Sequence, residues 1–424
     1  MKNNMVTSID RGCVFLCGQI DISSEIIRNN ENSEWINENL DEKEYSYLRS
    51  IYYESFINSL IPVYDNETHS NFYGETYHLI KNIDKQYTLC DQRFYHSKFI
   101  FDLQRVHIFG FPYNIFFLAL EIEIPENTPL NDISLANSIL RDINRYKELE
   151  TTASEFIDQI QTLLKTLTGD MDAHYSKLLN TGNKFKVFQI LKMDDISDEP
   201  LFELGTLSPV GCVSDTSNNY SPSLRYFKNI INNNSISVFN NWKALALVDT
   251  FTVIMKRDCN TTDIWKSYYF RLIYIHVLYQ KSLLFVLNKR FRSNNDRKCG
   301  KQLLQDMKEQ ESRYAFSDIS YNFLPQLIYK SMDKGLEVVS ERNKLHNILE
   351  QEAERQEAMA SYKLSRVLIF LTIITSLSVL YDTACLFKEI LVINNIACYR
   401  IIVSACAVSI IAGILVLYKT SNKK

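Results

Sequence analysis

The sequence predicts an α/β cytosolic domain, a long stalk helix and two C-terminal transmembrane helices, and three features of its 424 residues carry that prediction. Two long apolar runs lie beyond Arg366, while charged residues are spread through everything before them. Strand-length apolar stretches alternate with helical ones as far as Asn260. From Leu336 to Tyr381 there is neither Gly nor Pro, so nothing local interrupts a helix.

The overall charge is nearly balanced, with 46 Lys and Arg against 50 Asp and Glu, and 46% of residues are hydrophobic. That balance excludes a strongly basic nucleic-acid binder and an acidic disordered chain, and no nucleic-acid partner is expected. The apolar patch at 13–17 is short and lacks a basic flank and a cleavage site, so no signal peptide is expected. The nine cysteines lack paired metal-type spacing, which fits a reduced cytosolic compartment; Cys385, Cys398 and Cys406 lie in or beside the apolar runs.

Residues 1–260 read as the α/β domain. Strands are expected at 12–20, 99–109, 115–124 and 184–191, with two more within 235–255. Helical stretches cover 34–60 and 131–167, and Asn, Ser, Gly and Pro mark loops at 66–74 and 213–222.

Residues 261–335 read as a helical hairpin and a short helix. Asn260-Thr261-Thr262-Asp263 offers N-cap chemistry ahead of an apolar helix of about thirty residues. Arg271, His276, Gln280 and Lys281 interrupt that helix, and two central cations would each cost about 3 kcal/mol in a bilayer. It is therefore expected in a cytosolic core. After a break at 293–300 the helix resumes over 301–315. Ser317-Asp318-Ile319-Ser320 reads as the cap of the next helix, Pro325 suits its first turn and Gly335 its end.

The stalk, 336–366, runs on into the first apolar segment. About 46 residues at 1.5 Å each give a rod of roughly 70 Å. Between Glu341 and Arg366 it is polar, with thinly spaced Leu345, Ile348, Leu349 and Met359, so it needs copies of itself or a neighbouring helix to pack against. The first span, 367–387, reads VLIFLTIITSLSVLYDTACLF with one charge, Asp382; an external loop, 388–400, precedes the uncharged second span, 401–418, and a tail, 419–424. Lys363 and Arg366 before the first span, with Lys419, Lys423 and Lys424 after the second, place both termini in the cytosol, as for a multi-pass protein of the inner (cytoplasmic) membrane.

Two helices cannot enclose a pore, so conduction requires self-association. Spacing by fours and threes selects Leu368, Thr372, Thr375, Val379, Asp382 and Leu386 as one pore-lining face, with hydroxyls for a hydrated ion, apolar rings that close by dewetting and a carboxylate ring that favours cations. The plainer alternative has the hydroxyls bonded to their own helix and Asp382 in water at the outer interface. Lys289, Arg290, Arg292, Arg297 and Lys298 form a basic cluster that suits an anion or lipid headgroups, or a solvated hairpin tip. Asp194, Asp195, Asp198 and Glu199 are candidate ligands of Mg2+ or another divalent cation, or a surface loop. No phosphate-cradling, hydrolase or metalloprotease motif occurs, His96 and His107 read as structural, and no enzyme is expected.

The segments RYAFSDIS before the stalk and SYKLSRVLIFLTIITSL at the first span resemble CorA-type divalent-cation channels, over about the last 165 residues, and the N-terminal domain resembles them in architecture. The resemblance implies a homopentamer in the lipid bilayer with the first span lining the pore. Family members that import magnesium carry Gly-Met-Asn at the outer end of that span; here Glu389-Ile390-Leu391 stands in its place, with Asn394 and Asn395 the nearby amides. That departure points away from a housekeeping importer. It is similar instead to CorA-like antiviral effectors encoded beside type III CRISPR systems, which implies gating by a small nucleotide messenger such as SAM-AMP. A magnesium transporter and a non-conducting membrane-anchored scaffold are the alternatives.

Overall fold

The computed structural model describes residues 8–20, 35–37, 42–61, 76–142, 150–168, 184–215, 217, 219–293, 299–390, 400, 404 and 407–408. The loop expected at 66–74 and nearly all of the second span and outer loop therefore lie outside the described residues. The chain forms two compact units: residues 1–293 with 305–346, and residues 294–304 with 347–424.

The first unit is built on a nine-stranded sheet of β1 (Arg11–Ile20), β2 (Ile36–Asn37), β3 (Tyr77–Cys90), β4 (Lys98–Phe111), β5 (Ile115–Ile124), β6 (Lys186–Lys192), β7 (Ser235–Ile236), β8 (Trp242–Ala246) and β9 (Thr250–Met255). Their order is β2-β3-β4-β5-β1-β6-β9-β8-β7, antiparallel except for β6 beside β9. β5 reads IFFLALEIEI and is buried almost throughout because it lies mid-sheet with both faces covered. The segment 235–255 contributes three strands rather than two.

Helices α1 (Glu42–Ile51), α2 (Glu54–Leu60), α3 (Leu130–Leu140), α4 (Glu150–Thr168), α5 (Asp198–Thr206) and α6 (Leu224–Asn234) surround the sheet. The single helix expected over 34–60 is split. Tyr53 N donates to the Ile319 carbonyl and Tyr321 N to the Ile51 carbonyl, both at 3.0 Å, and this tertiary pairing outcompetes local propensity. On one sheet face Leu103, Val106, Leu118 and Leu120 share a core with Ile133, Leu140, Phe156, Leu163 and Leu204 from the helices.

The opposite face is covered by one long helical run. A short turn, Thr262–Ile264, leads into a π-helical segment, Trp265–Tyr274, and then α7, Ile275–Ser293. This run is long and apolar enough to cross a membrane, but 72% of its apolar window is buried within the structure, as expected of a core helix. Phe270 stacks on Phe15 at 3.8 Å between centroids and meets Phe188 edge-on at 5.2 Å.

The chain continues through α8 (Cys299–Tyr314), α9 (Phe323–Gly335) and α10 (Val338–Ile390). The N-cap of α9 is Asn322, not the 317–320 segment; Ser320 instead bonds the Ile51 carbonyl at 2.6 Å. Gly335 ends α9 by allowing close approach rather than by a left-handed turn, which falls on Glu337 at φ 59°. A Cβ at Gly335 would lie 2.8 Å from backbone atoms of Ala246. Gly335→Ala is therefore expected to cost about 1–3 kcal/mol, read as a lowered denaturation midpoint.

α10 is one helix of 53 residues, the uninterrupted rod that the absence of Gly and Pro predicts. Leu345, Leu349 and Ala353, four apart, are buried on one face. In the second unit Lys301 of α8 forms a surface ion pair with Glu357 at 3.0 Å, and a Cβ at Gly300 would lie 3.0 Å from Glu352 Cγ, so α8 lies against this part of the stalk. From Ser361 to Leu386 no described residue is buried.

Candidate functional site

A charged cleft lies between the sheet and the π-helical segment, lined by Phe15, His78, Arg105, His107, Phe109, Glu121, Lys266, Ser267, Phe270 and Arg271, and of about 340 Å³ with the solvent at its mouth. β4 and β5 bring its polar groups together. Arg105 lies directly opposite Glu121, and a β-bulge between Leu103 and Arg105 shifts the alternation of β4. Simple alternation would carry Arg105 to the same face as Phe101 and Leu103; the extra residue turns Arg105, His107 and Phe109 toward the helix instead.

Glu121 is the hub, only 1% exposed. It accepts from Arg105 Nε at 2.8 Å and Nη2 at 3.3 Å, lies 3.3 Å from His107 Nε2 and pairs with Lys266 Nζ. Burial alone would push its carboxyl up. The His107 hydrogen bond and the charges of Lys266, His107 and Arg105 outweigh burial and hold it well below the usual carboxylate range. His107 Nδ1 in turn lies 3.2 Å from His78 Nε2, which extends the polar chain to β3.

The π-helix explains how one helix face supplies Lys266, Phe270 and Arg271 together. With i→i+5 hydrogen bonding, residues four and five apart share a face, whereas in an α-helix Arg271 would turn away from Lys266. A second, more apolar cleft shares His78, Phe109 and Arg271 and adds Leu60, Ile61, Tyr77, Phe111, Leu272 and Ile275.

The same helical run is tied to the base of α10. Gln280 Nε2 donates to the Tyr314 carbonyl at 2.9 Å and lies 2.6 Å from His276 Nε2, while its Oε1 accepts from Arg342 Nη2. Lys281 Nζ donates to the Leu336 carbonyl at 2.8 Å and pairs with Glu341 at 2.7 Å. The four polar residues that interrupt the apolar stretch of this helix thus divide between the cleft and the clamp: Arg271 serves the one, and His276, Gln280 and Lys281 the other.

On α10, Leu368, Thr372, Thr375, Val379, Asp382 and Leu386 are all exposed in the single chain. Ser365, Ile369, Ile373, Ser376 and Leu380 are partly covered, and this line lies about 100° round the helix from the first. Thr372 Oγ1 donates to the Leu368 carbonyl at 2.8 Å, and Thr375 Oγ1 to the Leu371 and Thr372 carbonyls at 3.0 Å. These hydroxyls spend their proton on the helix and keep lone pairs outward, an arrangement suited to water or a cation.

Of the basic cluster, Lys289, Arg290 and Arg292 are exposed in the last turns of α7, where cations complement the helix dipole; Arg290 lies 5.1 Å over the Tyr113 ring. Arg297 and Lys298 lie outside the described residues. Asp194 pairs with Arg257 at 2.9 Å, Asp195 accepts from Ser197 N at 2.9 Å, Asp198 pairs with Lys243 at 2.7 Å, and Glu199 sits in the first turn of α5. Among the described residues no group of three or more His, Cys, Asp or Glu is placed to hold a metal ion, so these four do not converge on one. His96 is exposed beside Tyr95, whereas His107, read from sequence as structural, belongs to the cleft. No protein-family model matches the chain, and no curated protein matches its sequence.

Proposed function

We propose that the chain is the subunit of an oligomeric, cation-conducting membrane channel whose pore is lined by the α10 face bearing Leu368, Thr372, Thr375, Val379, Asp382 and Leu386, and whose opening is set by a ligand on the sheet unit. The observation that carries this reading is α10 itself. It starts at a polar clamp in the sheet unit and continues without a break into a segment that exposes Leu368, Phe370, Leu371, Ile374, Leu377 and Val379 at 48–63%. Such a continuous apolar surface is unfavourable in water and favourable in a bilayer or against further copies of the chain. Among the described residues two helices are long and apolar enough to span a membrane, and of these two α10 leaves its apolar window unburied.

The resemblance to CorA-like proteins supports a pentamer and, through the CRISPR-associated group, a nucleotide messenger as the opening ligand in antiviral defence. A ligand opens the pore only by binding the open state more tightly than the closed one, and the clamp on α7 is the element through which such a preference would reach α10. The test is ion flux through liposomes with unaltered assembly as the control. Asp382→Ala is expected to lower cation flux severalfold with the oligomer intact. Unchanged flux would remove Asp382 from the path, and equal silence in both forms would favour the scaffold.

A further inference from the structure

Three fixed cations lie among the residues that line the cleft. Arg105, Lys266 and Arg271 line it against one carboxylate, Glu121. That carboxylate is already engaged by Arg105, His107 and Lys266. Cations gathered in a half-buried recess present charged donors from several directions, and an incoming anion accepts charge-assisted hydrogen bonds from them.

We propose that this cleft binds a small multivalent oxyanion, inorganic phosphate or the phosphate end of a larger molecule, between Lys266 and Arg271 on the π-helical segment and Arg105 and His78 on the sheet. The rings nearby pack on one another, Phe270 on Phe15 at 3.8 Å and His78 on Phe109 at 4.2 Å. Recognition in the cleft itself rests on charge. The adjoining apolar cleft, which shares His78, Phe109 and Arg271, is where the remainder of a larger molecule would extend. A π-helix, uncommon outside functional sites, is the device that turns both cations to this spot.

The full chain in detergent is titrated calorimetrically with inorganic pyrophosphate and, separately, with a nucleoside triphosphate, at low and at moderate salt. Saturable binding that weakens with salt and is reduced about tenfold by Arg271→Gln is the expected result. Binding of pyrophosphate identifies the inorganic anion as sufficient; binding of the triphosphate alone identifies the phosphate end of a larger molecule. Lys266→Gln should weaken binding similarly, and if it fails to fold, Arg271→Gln decides alone, since Arg271 is only half-buried. No saturation by either probe, or equal affinity in Arg271→Gln, overturns the proposal. Binding is read without flux, so this site and the conducting role stand or fall separately.

Discussion

Glu121→Gln is expected to destabilise the sheet unit by about 3 kcal/mol. Removing one partner of a buried ion cluster leaves the remaining charges desolvated without compensation, which costs about 3–5 kcal/mol. The lower end applies because the Arg105 side chain is 40% exposed and recovers part of its hydration. The double variant Glu121→Gln with Lys266→Met should recover much of the loss, since the excess cation leaves with its partner. All three tryptophans, Trp35, Trp242 and Trp265, fall in the sheet unit, so tryptophan fluorescence during urea denaturation reports that unit. A midpoint unchanged by Glu121→Gln would show that the cluster contributes nothing net. The carboxyl is held below its ordinary range, so its contribution is complete above about pH 4.5 and declines as pH falls beneath that.

The second large effect is acid lability centred on His276. Burial, reinforced by the Arg342 charge and opposed by the Tyr314 carbonyl, pushes the imidazole down to about 3. The folded protein keeps it neutral, whereas the unfolded chain protonates it near pH 6.5. A depressed folded-state value means that stability is complete above pH 6.5 and is lost as the pH falls toward 3. By about pH 5 the loss is about 2 kcal/mol. Phe56, Phe316 and Tyr329 surround the ring, and Gln280 lies 2.6 Å from its Nε2, so none of these four neighbours carries a negative charge to offset its own. His276→Asn should flatten the pH dependence between about pH 7 and pH 5 even if it lowers stability overall. An unchanged slope would show that the ring gains its proton without unfolding.

Much of the scaffold is legible in the sequence where burial is complete. β5 is an unbroken apolar run because both its faces are covered, and its ends agree with the expected 115–124. β3 is not legible: Lys81, Asn82, Asp84, Lys85 and Gln86 lie near a register shift that leaves them exposed or half-buried, so neither a run nor an alternation emerges. The rod α10 follows from the absence of Gly and Pro, but its starting turn depends on Glu337 in a left-handed conformation that nothing local requires.

The cleft was only half visible. Arg271, His276, Gln280 and Lys281 stand out in an apolar helix and argue against its insertion in a membrane, and the same four residues turn out to mark the cleft and the clamp. Arg105 could not be placed, because one extra residue in β4 decides which sheet face it joins. Lys266 and Arg271 are five apart, a spacing that an α-helical reading separates and the π-helix unites.

Conduction along α10 is read as ion flux through the purified full chain in liposomes, first alone and then with magnesium or adenine-nucleotide messengers. Flux that appears only when a nucleotide is added is the predicted result. Constitutive flux regulated by magnesium would return the chain to the importer class, and silence from fully assembled oligomers under every condition would contradict the channel.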